Sequence, residues 1–149
     1  MVRLSGAFSV LSPLTPLPSL AHPLQVLVID RLNGPADVLF DAVRLLMGAA
    51  VEVTLVEDHD DALRALDACP FDLLLVGLDA QRPLQMALLP HLCRRAPHVP
   101  VIVISRGVSA ETLGRARRFG ALDALELPQR AAELRALIAR LWQEYLLAA

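Results

Sequence analysis

Five short apolar runs recur along this chain, each followed by a segment whose apolar residues fall three or four apart, and this alternation constrains the fold more than any single residue. The run LQVLVID (24–30) is brief, rich in β-branched residues and closed by an acid, which suits a strand buried on both faces. GPADVLFDAVRLLMG (34–48) follows, with Leu39, Val43 and Leu46 at helical spacing and Pro35 near the first turn. VEVTLVE (51–57) alternates apolar and polar residues, which predicts a strand nearer the sheet edge. DHDDALRALDA (58–68) loads its first turn with carboxylates, where the helix dipole favours them. The pattern repeats with FDLLLVG (71–77) and LQMALLPHLCRRA (84–96), then with VPVIVIS (99–105) and SAETLGRARRFG (109–120). It closes with ALDALEL (121–127) and a helix from about Gln129 to Leu147. Five strands alternating with five helices predict an α/β domain, a parallel sheet covered on both faces.

A chain of 149 residues, 55% hydrophobic and 20% charged, is one ordinary domain able to bury about two-thirds of its unfolded surface. The formal charge of -2 argues against a nucleic-acid partner, because neutralising a phosphate backbone needs clustered cations in excess. Cys69 and Cys93 form no CxxC and have no second pair, so they read as reduced thiols of a cytoplasmic protein. His22, His59, His91 and His98 are dispersed, and no metal site is expected from them. The first 23 residues stand apart: apolar, yet carrying four prolines, which suits neither a membrane span nor a signal-peptide core. They are expected to form a flexible arm outside a domain spanning 24–147.

In a sheet of this kind the site lies at the carboxyl ends of the strands, where the strand order reverses. Those ends are Asp30 and Arg31, Glu57 and Asp58, Gly77 to Asp79, Ser105 and Arg106, and Leu127 with Pro128. Neither GxGxxG nor GxxxxGK[ST] occurs there, so dinucleotide and P-loop binding have no support, and no cofactor is expected. The acids Glu57, Asp58, Asp60 and Asp61 read first as helix-start capping and a solvated face.

The succession VLVID, FDLLLVGLDAQRP, VPVIVIS, FGALDALELP and a closing amphipathic helix resembles the receiver domain of two-component response regulators, from about Leu24 to Tyr145. Gly120 in that stretch fits the left-handed position that ends a helix. The resemblance implies a flavodoxin-like, doubly wound five-stranded sheet of order 2-1-3-4-5. It also implies a site that accepts a phosphoryl group on an aspartate closing the third strand. Such a site uses two acids after the first strand for magnesium, a hydroxyl after the fourth and a lysine after the fifth, all to stabilise developing phosphoryl charge.

Carried over residue by residue, Asp30 matches the first acid and Ser105 the hydroxyl, whereas Arg31 replaces the second acid, Gly77 the phosphoacceptor and Leu127 the lysine. Ala124 stands where the family has a switching aromatic. A second register remains open: read two residues longer, the third strand ends at Asp79, and DAQRP then matches the family's aspartate with proline four residues on. Arg31 is a candidate counter-ion for Asp30 and Asp79 in place of the metal.

In the last helix Leu134, Leu137, Ile138, Leu141, Trp142 and Tyr145 recur at core-facing spacing, and the apolar run continues to the end of the chain. The resemblance implies a dimer or partner face on the fourth helix, fifth strand and fifth helix, with Arg115, Arg117, Arg118, Leu141, Trp142 and Tyr145 as candidate contacts. The expected function is a degenerate, phosphorylation-independent receiver that is no enzyme, crosses no membrane, and binds a signalling partner or a second copy. Two alternatives stand beside it: a phospho-accepting regulator using Asp79, and a small-molecule sensor needing an enclosed apolar pocket at the switch point.

Overall fold

The computed structural model describes residues 23–79, 85–141 and 143–144. The described chain runs β1 (Leu24–Ile29), α1 (Pro35–Met47), β2 (Val51–Val56), α2 (His59–Ala68), β3 (Leu73–Asp79), α3 (Gln85–Arg95), β4 (Val101–Arg106), α4 (Ala110–Arg118), β5 (Asp123–Glu126) and α5 (Ala131–Leu141). All strand pairs are parallel and the order is β2-β1-β3-β4-β5. The expected α/β, flavodoxin-like topology is therefore the observed one. The arm expected over residues 1–23 lies, up to residue 22, outside the described residues.

β1 and β3 are buried along nearly their whole length because helices cover both faces. On one face Val26, Val28, Leu73, Leu75, Ile102 and Ile104 pack against Leu39, Phe40 and Val43 of α1 and Leu137, Ile138 and Leu141 of α5. On the other, Leu27, Ile29, Leu74, Val76, Val101 and Val103 meet α2, α3 and α4 through Ala62, Leu89, Leu92 and Ala116. Burying each of the larger side chains contributes about 1.5–3 kcal/mol, so the two cores dominate the stability of the domain. β2, predicted nearer the edge, is an edge strand, with Glu52, Thr54 and Leu55 exposed.

Of the boundaries that differ from the sequence reading, two bear on the site and on the last helix. β3 does not stop at Gly77 but continues through Leu78 and Asp79, which pair with Ser105 and Arg106 of β4. α5 begins at Ala131, not Gln129, and is described as α-helix to Leu141, with Trp142 and residues 145–147 outside the described set. Gly120 ends α4 with φ of 119°, and a Cβ there would stand 2.6 Å from Cys93 Sγ, so both backbone and space favour glycine.

Candidate functional site

After β2 the chain returns past β1 to start β3 on its other side, so the strand order reverses between β1 and β3. Asp30 and Gly77 sit at that reversal, since Ile29 pairs with Val76 immediately before them. Asp30 is 1% exposed. Its Oδ1 accepts the Arg31 N–H at 2.8 Å, and its Oδ2 accepts the N–H groups of Ala36 at 2.8 Å and Asp37 at 3.2 Å.

Those bonds follow from how α1 begins. Gly34 at the N-cap offers no side chain, and Pro35 at the first helical position has no N–H. The next two orphan donors go to Asp30, and the Val38 N–H goes to the Gly34 carbonyl at 2.9 Å. A carboxylate from the preceding strand thus caps the helix, where the dipole also favours a negative charge.

Two glycines leave the room. A Cβ built on Gly77 would overlap Asp30 Oδ2, and one built on Gly34 would overlap Asp30 Oδ1. The Asp30 carboxylate therefore occupies the volume that any side chain at 77 would enter. Burial pushes its pKa up from the ordinary carboxylate range, the three backbone N–H bonds oppose that rise, and the Asp79 charge adds to it.

Arg31 turns its guanidinium to Asp79, whose Oδ2 accepts from Nε at 3.1 Å and from Nη2 at 2.9 Å. The side chains are 33% and 7% exposed, so the pair is only partly screened by solvent. The counter-ion reading thus holds for Asp79, while Asp30 receives only the backbone N–H of Arg31. Of the remaining positions, Ser105 stands across from Leu78 in the β3–β4 register, beside Asp79. The Ser105 hydroxyl is fully buried and donates to the Leu125 carbonyl at 3.2 Å, and Leu127 packs against the core while its N–H donates to the Ser105 carbonyl at 2.8 Å. Ala124 is buried in the opposite core, and the chain contains no lysine, its 14 basic residues all being arginine.

Four participants, Gly34, Asn33, Asp37 and Gln85, were missed by sequence reasoning, whereas Arg106 was among the strand ends named. Gly34 makes room for Asp30, and buried Asp37 accepts the Asn33 N–H at 2.8 Å in a turn where Asn33 takes φ of 65°. Arg106 donates to the Asn33 carbonyl at 3.3 Å, and buried Gln85 donates to the Ile29 carbonyl at 3.4 Å. The available signal was an acid ending a strand just before a glycine-proline helix start with no capping side chain.

The candidate interface is corrected in part. Leu141 is 3% exposed within the α1–α5 core, because α5 turns that stripe inward, so it presents no surface. Arg117 is committed within its own chain, donating to the Ala124 carbonyl at 2.9 Å and pairing with Asp123 at 3.4 Å. Arg115 and Arg118 are exposed on α4, and Trp142 and Tyr145 lie outside the described residues. At the α2 start, Asp58 caps the Asp61 N–H at 2.8 Å and Asp61 pairs with Arg64, as the capping reading of these acids expects.

No family model matches the chain, and no curated protein matches it by sequence. Its structure is similar to that of the response regulator RPA3017 of red-light signalling in R. palustris, at 20% identity over 85% of this chain and 96% of that one, with a TM-score of 0.67. It is similar to the phosphorylated cyanobacterial phytochrome response regulator RcpA, at 18% identity over 87% and 97%, also with a TM-score of 0.67. A CheY-like protein (tadZ) from Pseudomonas aeruginosa PAO1 is 25% identical over 79% of this chain and 92% of that one, with a TM-score of 0.61. The chain has the receiver-domain fold of response regulators. Among the described residues no helix is long and apolar enough to cross a membrane.

Proposed function

We propose that this chain is a degenerate receiver, a protein-binding module of a cytoplasmic signalling pathway whose state is not set by phosphate and which catalyses no reaction. The receiver fold supports a role in signal transduction. The observation that carries the finer reading is the overlap of any side chain at Gly77 with the Asp30 carboxylate, which closes the acceptor position from within. The Arg31–Asp79 pair supports it, since a guanidinium fixed beside the carboxylates supplies the positive charge that a magnesium ion would otherwise bring. Its partner is another signalling protein or a second copy, met through α4, β5 and α5, where Arg115 and Arg118 are among the exposed cations. Nucleic acid is not a partner in this reading, given the net charge of -2.

A second reading is favoured by one observation: β3 reaches Asp79, as the longer register requires of a phosphoacceptor there. Intact-protein mass after incubation with magnesium and acetyl phosphate separates the two. An unmodified native chain supports the degenerate receiver; a single phosphoryl adduct that vanishes in Asp79→Ala establishes the second reading. The sensor reading loses its footing at the switch point, because the Asp30 carboxylate fills the space between Gly34 and Gly77.

A further inference from the structure

The sheet ends laterally in two strands, β2 and β5, and the two ends are unlike. β5 is four residues long, carries Asp123 and Glu126, and has its Ala124 carbonyl taken by Arg117 at 2.9 Å. Short, charged, covered edges of that kind resist pairing with a further strand. β2 (VEVTLV, 51–56) is six residues long and has neither proline nor cation. Its one acid, Glu52, already accepts from the Gln25 side chain at 2.8 Å. Among the described residues no strand lies on its outer side.

We infer that the outer edge of β2 seats a second copy of this chain, whose own β2 pairs with it antiparallel about a two-fold axis at Val53. The contact leaves α4, β5 and α5 free for a signalling partner, and it does not depend on whether the chain accepts phosphate.

The backbone sets the register. The Val56 carbonyl accepts the Asp30 N–H at 3.0 Å, so residues 52, 54 and 56 direct their polar groups to β1, and by alternation Val51, Val53 and Leu55 direct theirs outward. The Val51 N–H is taken by the Gly48 carbonyl, which leaves the N–H groups of Val53 and Leu55 as outward donors. An axis at Glu52 would set that acid against its own copy, and an axis at Thr54 would set Val51 against Glu57. The axis at Val53 does neither. Val53 then faces Val53, Val51 faces Leu55 and Glu52 faces Thr54. The Val53 N–H donates to the Val53 carbonyl and the Leu55 N–H to the Val51 carbonyl, each bond made in both directions.

The side chains agree with that register. Val51 and Val53 belong to the core that α1 covers, and alternation puts Leu55, 40% exposed, on the same side of the sheet. Beside Val51 on this side is a hollow of about 540 Å³ walled by Asp41, Arg44, Leu45 and Gly48. Leu45 in that wall is 61% exposed. With Leu55 of the second copy directly across from Val51, each copy places its exposed leucine in the other's hollow, against Leu45. Asp41 and Arg44 are of opposite sign, so the two-fold axis brings no net charge to the contact.

The test is made on the full chain. Sedimentation equilibrium should show a monomer–dimer equilibrium, and amide hydrogen exchange at Val53 and Leu55 should slow as protein concentration rises. Val53→Pro removes an N–H that faces away from β1, and Leu55→Lys charges the exposed edge. Each should weaken the dimer at least about tenfold, because the two-fold axis repeats every loss. Exchanging Arg115 and Arg118 together for glutamate should leave the dimer unchanged, and circular dichroism checks that every variant keeps the fold. A monomer at all concentrations, a dimer that survives both β2 variants, or one lost only on exchange of Arg115 and Arg118 would overturn the inference. Protection of the Val53 and Leu55 amides that does not vary with concentration would also overturn it, since the edge would then be covered from within the same chain.

Discussion

At the carboxyl edge of the sheet Asp30, Arg31, Asp37 and Asp79 are held against one another or against backbone N–H groups. At the amino edge a groove of about 750 Å³ is open, with Leu122 largely exposed on its rim. Both edges belong to the same five strands, so the backbone topology does not explain the contrast. Side-chain size does. Glycines at 34 and 77 let one carboxylate sink between β1, β3 and α1 at the first edge, while among the described residues the second edge is a groove lined by Phe71, Pro97, Pro100, Ala121 and Leu122 with Asp72, His98 and Glu144. Under the proposed reading, the fold keeps its architecture while the edge that carries a receiver's chemistry becomes internal structure.

The sharpest way to break this comparison is to restore a side chain at the closed edge. Gly77→Ala should cost about 3 kcal/mol in urea unfolding, because its Cβ overlaps Asp30 Oδ2 in a packed site. Combining it with Asp30→Ala should recover at least about 1 kcal/mol of that cost, and strict additivity of the two changes would show that Asp30 does not fill the position.

Removing the cation has the next largest effect. Arg31→Ala should destabilise by about 1–2 kcal/mol, a figure discounted for the third of Arg31 that is exposed. Arg95→Ala breaks the exposed pair with Asp67 and should cost less than about 1 kcal/mol. Equal losses from the two would erase the distinction between a built site and a surface ion pair.

The titration of Asp30 sharpens the same point. Its native pKa is raised, so its contribution to stability is complete below the unfolded value of about 3.9 and is lost as pH rises through the native value. Unfolding of the native chain and of Asp30→Asn, followed from pH 7 toward pH 4, should show the native chain gaining relative stability as pH falls. A relative loss would mean that the backbone N–H bonds outweigh burial. The smallest effect belongs to the open edge, where Leu122→Ser should change stability by less than about 1 kcal/mol.

The topology was legible because the strands are buried on both faces and the helices carry their own periodicity; Leu24 to Glu126 could be divided almost correctly by pattern alone. The end of β3 was not. Gly77 and Asp79 point to the same face, so alternation permits either as the terminal position, and only the pairing of Ile29 with Val76 sets Gly77 beside Asp30. Arg31 could be assigned as a counter-ion from charge alone, yet its choice of Asp79 depends on how far β3 extends. Gly34 was invisible as a site residue because its role is to leave room for a carboxylate four residues earlier. Leu141 was misplaced because helical spacing shows a stripe but not how deeply the helix sits.

The most direct test of the closed site is amide chemical-shift mapping of the full chain during addition of magnesium and beryllofluoride, a phosphoryl mimic. The proposed reading predicts unmoved amides at Arg31, Ala36, Asp37 and Gly77, because in it Asp30 and the Arg31–Asp79 pair keep metal and phosphoryl group out of the site. Saturable shifts centred on those amides would contradict the account and show that the site opens to the ligands of an active receiver.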